Sequence, residues 1–454
     1  MNRLISIFAF SLLLHVSASA AEALTLDQAL QLLKAKNLEI KAAKYDELSA
    51  KEDIDAVSGK NWGKLTFIQD AARSNDAGNV FGFKLTSREA TFGDFGFADF
   101  LTPPPGTTNV LTVEPTDLNY PGYRNFFQSK LRYEVPLFTG FMLSSYTDIM
   151  KKVKELKSLD KHKIEKQKKY ELKKSFYDMA LLDSSIKNLN KILDNIHILE
   201  DTTKEMIAVG YAKKVDLLEV QAKKGNVERL LVQMQSNKKL LYHYISFLLN
   251  QKVEHIQTPA TEVRMPHISD EEILARNIDL KKAATGLKIT KDMLKVSQAA
   301  YYPTLGAFGE VSTADNTFLT NANDHKAYTI GARLSWNLFD GGIDAAKIEK
   351  SKIEKLKMQS QVELAKKGIL LKIAKIRTQI EGVDVEIASL KKELELANAI
   401  YENYEGRYKE KLVSMSDVII KQSAQIEKIL QLQIAKNKRT EKILALEKLA
   451  NGEN

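Results

Sequence analysis

Seven histidines and one recurring aspartate are the residues of this chain whose types could do chemistry. Imidazoles bind a metal ion best when a second ligand stands close enough to share it, as one helical turn away. His162, His197 and His243 fall on predicted helices with no such ligand three or four residues on, and His15 lies in an N-terminal leader. Asp315, Asn316, Asn321, Asn323 and Asp324 bunch oxygen donors. Without the spacing of a helix–loop–helix calcium site they read as a polar hairpin loop. The chain has no cysteine, which removes disulfides, thiol nucleophiles and thiolate metal centres. No nucleophile elbow or phosphate loop is present. The sequence therefore predicts no enzyme, no metal site and no cofactor.

The aspartate recurs inside a longer repeat. Asp216-Leu217-Leu218-Glu219-Val220-Gln221 aligns with Asp417-Val418-Ile419-Ile420-Lys421-Gln422. At the same offset, Tyr133-Glu134-Val135-Pro136-Leu137-Phe138-Thr139-Gly140 falls on Leu334-Ser335-Trp336-Asn337-Leu338-Phe339-Asp340-Gly341. Two matches so far apart at one offset identify an internal duplication. Upstream, Asn37-Leu38-Glu39-Ile40-Lys41 aligns with Asn277-Ile278-Asp279-Leu280-Lys281 at a longer offset. The difference places an insertion in the first copy, over Gly78 to Tyr123, a stretch with glycines, aromatics and Pro103-Pro104-Pro105.

The elements that carry these motifs follow from proline and periodicity. No proline lies between Pro136 and Pro259 or after Pro303, and both stretches are rich in lysine, glutamate and leucine, good helix formers. Phe176, Met179, Ile186, Leu189, Leu193 and Ile196 are spaced by three, four or seven, as in packed long helices. Breaks at Gly210 with Lys213-Lys214, and over Lys409 to Ser416, predict two helical hairpins, 141–208 returning as 215–250 and 342–407 returning as 416–450. An outgoing leg of that size would be about 100 Å long at 1.5 Å per residue. Each return leg is about half as long, so helices at about 25–60, opened by Thr25 and Gln28 in capping-box spacing, and from Ser269 to about 300 must cover the rest.

Between the helices, Phe127, Leu131, Tyr133, Val135 and Leu137 alternate with Gln128, Lys130, Arg132 and Glu134. Tyr328, Ile330, Ala332, Leu334, Trp336 and Leu338 alternate likewise with polar or small partners. Period two with one apolar and one polar face suits a barrel that meets lipid outside and water inside. The predicted strands are about 64–73, 126–138, 303–313 and 326–339, with 78–123 as a long extracellular loop. Trp62, Tyr301, Tyr302 and Trp336 fall at strand ends, where aromatic side chains anchor at a membrane interface. Four strands cannot close a barrel, and open edges are not tolerated in lipid, so other copies must complete it.

Arg3, the apolar run Leu4 to Val16 and the small residues Ala18-Ser19-Ala20 predict a secretory signal peptide over 1–20. No later stretch is apolar enough to span a bilayer as a helix, and without cysteine no lipid anchor is expected. The repeats divide as 21–260 and 261–454. Net charge is +9, much of it local, since Lys151 to Ser175 holds eleven lysines against four acids. Those lysines alternate with apolar residues, which marks a solvated helical face rather than a nucleic-acid surface. The sequence thus predicts an α+β membrane protein, mostly α, built as an internal twofold repeat of β-hairpin plus long helical hairpin.

Val135-Pro136-Leu137-Phe138-Thr139-Gly140, Trp336-Asn337-Leu338-Phe339-Asp340-Gly341-Gly342 and the paired Asp-aliphatic-aliphatic-x-x-Gln segments after the hairpin turns resemble the TolC family of outer-membrane efflux and secretion ducts. The resemblance runs over the whole chain beyond the leader. It implies a homotrimer, with a 12-stranded β-barrel in outer-membrane lipid continued by an α-helical barrel across the periplasm. It implies helical tips that meet a periplasmic adaptor protein, coupled through it to an inner-membrane pump. Such a duct of an efflux or type I secretion system catalyses nothing.

By that resemblance Asp216 and Asp417 match aspartates of the periplasmic constriction, the competing reading being helix caps. Tyr408 matches a gate-linking tyrosine, against a core aromatic. A second gate acid would fall where Ile420 stands, and its basic partner where Val413 stands, so part of the family's polar lock is absent. Adaptor contact would fall to Val209, Gly210, Tyr211 and Ala212 on the first tip and to Leu412, Val413 and Ser414 on the second, with Lys411 where the family usually has glycine. The alternative function is a non-transporting periplasmic or surface coiled-coil tether or adhesin, which would have no use for four alternating strands.

Overall fold

A computed structural model describes residues 23–259, 262–318, 320 and 324–450. The predicted signal peptide, Asn321 and Asn323 lie outside the described residues. Two compact units divide the chain, and neither coincides with a repeat. One comprises Met1–Tyr45, Leu159–Lys281 and Leu364–Asn454; the other comprises Asp46–Ser158 and Lys282–Glu363.

The first unit is helical. Of α6 (Met142–Ala208) and α10 (Ile343–Lys409), each 67 residues long, it holds the later parts, together with the return helices α7 (Lys214–Leu249) and α11 (Met415–Ala450). Phe176 and Met179 are fully buried in one core cluster and Leu189 and Ile196 in a second, against which Ile186 and Leu193 pack. The spacing seen in the sequence is therefore the buried seam of α6. No described helix is long and apolar enough to cross a membrane.

The leading helices expected as continuous are each broken at the repeated asparagine. Leu26–Lys36 (α1) and Leu38–Gly59 (α2) flank Asn37, as Asp270–Arg276 (α8) and Ile278–Gln298 (α9) flank Asn277. Both asparagines are extended at ψ 126° and 122° and are almost fully buried. Asn37 Nδ2 donates to the Leu248 carbonyl at 2.8 Å, and its Oδ1 accepts from the Ile40 amide at 3.1 Å. Asn277 repeats this with Leu449 at 3.3 Å and Leu280 at 3.1 Å. One side chain thus ends one helix, caps the next and pins the break to a return helix, satisfying groups that helix ends leave open. The duplicated Asn is a duplicated kink.

The second unit holds a four-stranded antiparallel sheet in the order β1 (Lys64–Ser74), β2 (Arg124–Phe138), β3 (Thr304–Asp315), β4 (Lys326–Ser335). β1 and β4 each pair on one side only among the described residues. Phe67, Leu131, Val311 and Tyr328 stand opposite one another in register across all four strands. All four are exposed, Tyr328 at 78%, and Ile330, two residues further along β4, at 80%. Charge lies on the opposite face: Lys130 pairs with Asp70 at 3.2 Å and Arg132 with Glu134 at 2.7 Å. One face is apolar and bare, the other polar.

β4 stops at Ser335, short of the predicted 339. Its last partner is Thr304, and Pro303 before it has no N–H with which to continue the ladder. The insertion is not a plain loop. It folds into short helices α3 (Ala77–Thr86), α4 (Phe97–Leu101) and α5 (Thr116–Asn119), with Phe83 stacked on Phe126 at a ring separation of 4.2 Å.

The repeated strand-end motif turns strand into helix with two successive left-handed residues, Gly140 and Phe141 in one copy and Gly341 and Gly342 in the other. A Cβ on Gly140 would come within 2.7 Å of the Ala299 carbonyl, so glycine is required there for space as well as for φ. Phe141, at φ 69°, packs edge-on to Phe138 and Tyr302.

Candidate functional site at the hairpin tips

The tips connect α6 to α7 and α10 to α11. Their backbones follow one plan. The Gly210 and Tyr211 amides donate to the carbonyls of Ile207 and Met206 at 3.0 and 2.9 Å; those of Lys411 and Leu412 donate to Tyr408 and Arg407 at 2.9 and 2.9 Å. This is the pattern that closes a helix on a left-handed residue. That residue is Gly210 at φ 79° in the first tip and Lys411 at φ 64° in the second.

The two aspartates begin the return helices, and neither is the N-cap residue itself. Each lies at the third helical position and reaches back: Asp216 Oδ2 accepts from the Lys213 amide at 2.7 Å, and Asp417 Oδ2 from the Ser414 amide at 3.1 Å. At the second tip the arrangement is reciprocal, because Ser414 Oγ accepts from the Asp417 amide at 3.2 Å and donates to its carboxylate at 2.6 Å. Ser414 holds the Asp417 carboxyl below the usual carboxylate range, and Lys421 and Arg407 add to the effect. Sequence reasoning missed these two cations when it marked the expected basic partner as absent at Val413. Lys421 was legible as an i+4 neighbour of Asp417; Arg407 comes from across the turn.

Tyr408 is buried in a core shared by both hairpins, with Met206, Val220, Met415 and Val418. Its hydroxyl lies 3.4 Å from Thr203 Oγ1 on α6. Burial chiefly, with the charge of Asp216, pushes that hydroxyl above its ordinary range, against the opposing bond from Thr203. Two turns back, Tyr401 is still more deeply buried, with its hydroxyl 3.5 Å from Gln422 Nε2.

The predicted contact residues separate into two groups. Val209, Tyr211 and Leu412 are exposed apolar side chains, while Ala212 and Val413 pack against the core. Lys411 Nζ sits 3.7 Å above the Tyr211 ring, so the tips touch through a cation and an aromatic face. Gly210 and Ser414 are exposed.

At the sheet, Trp62 precedes β1, Tyr301 and Tyr302 precede β3, and Trp336 follows β4, so the antiparallel order gathers all four at one end. Trp336 Nε1 donates to the Tyr301 carbonyl at 3.3 Å. Elsewhere, Glu89, Asp315 and His325 bring one donor atom each within 4.8 Å of the others, a grouping that their separation in sequence concealed.

Residues 271–452 match the family model described as outer membrane efflux protein. Over that segment the chain is similar to an outer membrane efflux protein. The matched segment contains β3, β4, the second tip and Asp417. No curated protein matches the chain in sequence. Among solved structures, the chain is similar to the CusC channel, with a TM-score of 0.77 and 12% identity over 94% of this chain and 92% of that one. It is similar also to VceC from Vibrio cholerae, with a TM-score of 0.75 and 13% identity over 94% and 96%. The Campylobacter jejuni CmeC outer membrane channel gives a TM-score of 0.74 and 13% identity over 94% and 85%. This chain therefore shares one fold with these proteins over 94% of its length.

Proposed function

We propose that this protein is the outer-membrane channel of a tripartite efflux or type I secretion system, a passive exit duct for small molecules or proteins. The sheet carries the reading: an apolar face left bare in register across four strands whose two edges are unpaired among the described residues. In water such a face is a liability, and in lipid such edges are unstable. Three copies supply twelve strands, close the barrel and remove every edge. The apolar face then meets lipid, with Trp62, Tyr301, Tyr302 and Trp336 at one interface. The long helices continue the duct into the periplasm, and residues 1–20 direct export. The units of duplication are 21–260 and 261–454.

Asp216 and Asp417 then form acidic rings at a constriction, where crowded carboxylates favour cations, with Tyr408 holding the second hairpin to the first. Val209, Gly210, Tyr211, Ala212, Leu412, Val413 and Ser414 receive the periplasmic adaptor, and an inner-membrane pump supplies the energy. A coiled-coil tether would not need the bare apolar sheet face.

The test is reconstitution of detergent-extracted protein into planar bilayers. Stepwise ion conductance supports the duct; a protein that is soluble without detergent and non-conducting identifies a tether. Cross-linking from Gly210→Cys or Ser414→Cys in the envelope should capture an adaptor.

A further inference from the structure

At the end of the sheet opposite the aromatic belt, three elements distant in sequence converge. Glu89 follows α3 in the insertion, Asp315 is the last residue of β3, and His325 directly precedes β4. We propose that Glu89, Asp315 and His325 form a binding site for a first-row divalent cation of the zinc type, which ties the insertion to the β3–β4 hairpin.

One ligand atom from each residue lies within 4.8 Å of the other two, close enough to bind one ion. His325 Nδ1 lies 3.1 Å from the Ala314 carbonyl. A carbonyl only accepts, so Nδ1 carries the proton and the Nε2 lone pair is left for a metal. An imidazole oriented by a backbone carbonyl through its other nitrogen is the usual support of a histidine ligand. Asp315 is almost fully buried, and its carboxylate accepts from the Asn316 amide at 2.7 Å and the Thr317 hydroxyl at 3.0 Å, so its direction is fixed. Glu89 Oε2 accepts from Ser87 Oγ at 2.8 Å and from Arg124.

Arg124 donates to Glu89 at the edge of this group, and it bears on the choice of ion. Two carboxylates against one guanidinium leave a net negative charge, which a divalent ion reverses. The guanidinium weakens binding but does not cancel the site. One imidazole with two carboxylates selects zinc-like ions over magnesium or calcium, which prefer all-oxygen shells. Three protein ligands leave the fourth position to water.

The test uses the full-length protein in detergent after treatment with a chelator, titrated with Zn2+ by calorimetry and with Co2+ by visible absorption. We expect one equivalent per chain, a cobalt spectrum of low coordination number, and a rise in thermal stability with Zn2+. His325→Ala and Glu89→Gln, neither fully buried, should each weaken binding by at least about tenfold, the scale of losing support at a metal site. Stoichiometric binding that survives in His325→Ala overturns the assignment, as does the absence of binding in the unaltered protein. Neither outcome depends on whether the protein conducts ions.

Discussion

The two hairpin tips share a backbone and differ in the chemistry that stabilises it. The first has glycine at its left-handed position, where the conformation costs almost nothing, and its Asp216 caps without side-chain reciprocity because the Lys213 side chain carries no acceptor. The second has Lys411 there, a residue for which that conformation costs on the order of 1–2 kcal/mol. It compensates with the reciprocal Ser414–Asp417 box and with Lys411 over the ring of Tyr211. The strand-to-helix corners show the reverse. There the first copy carries the non-glycine, Phe141, against two aromatic rings, and the second has Gly342. A duplicated backbone survives loss of its glycine where an aromatic contact replaces what was lost.

The comparison breaks most visibly at Tyr408, whose counterpart in the first tip is the half-buried Ile207. Tyr408→Ala should cost about 3–5 kcal/mol, as for other large buried side chains, and Ile207→Ala clearly less. Hydrogen exchange at both tips would check this, and equal losses would mean that the second hairpin is not held by Tyr408. Where the copies agree, mutations should agree: Asn37→Ala and Asn277→Ala should each cost about 1–3 kcal/mol by stranding buried groups. A twofold disparity in the thermal shift would break the equivalence of the kinks.

Gly210→Ala should destabilise the first tip by about 1–2 kcal/mol, while Lys411→Gly should change the second by less, because relief of the backbone offsets the lost contact with Tyr211. A double-mutant cycle of Tyr211→Ala with Lys411→Ala should return a coupling of about 0.5–1 kcal/mol. The smallest effect concerns pH. The Asp417 carboxyl is held low in the folded state, so its contribution is present at neutral pH and lost as pH falls below about 3.9 and through the folded value. Asp417→Asn should therefore loosen the second tip at pH 7, and its difference from the unaltered protein should shrink as pH falls through the folded value of Asp417.

Much of this was legible in the sequence because it rests on periodicity. The seam at Phe176 and Met179 and the alternating strands around Leu131 and Ile330 are one-dimensional patterns that packing preserves. The kinks were not legible, since Asn37 is fixed by a carbonyl of Leu248 that no local pattern supplies. β4 ended early because its neighbour began after Pro303, a constraint held by the partner strand. The caps were half legible: an acid three residues after Ser414 signals a box, but the same acid after Lys213 does not. Arg407 near Asp417, Thr203 beside Tyr408, and the convergence of Glu89, Asp315 and His325 are products of tertiary contact alone.

The central claim is that one chain supplies four strands to a barrel that several copies close. Native mass spectrometry of protein extracted from membranes in detergent tests it most directly. A single species of three chains is the predicted result; a monomer that stays in solution without detergent would contradict it.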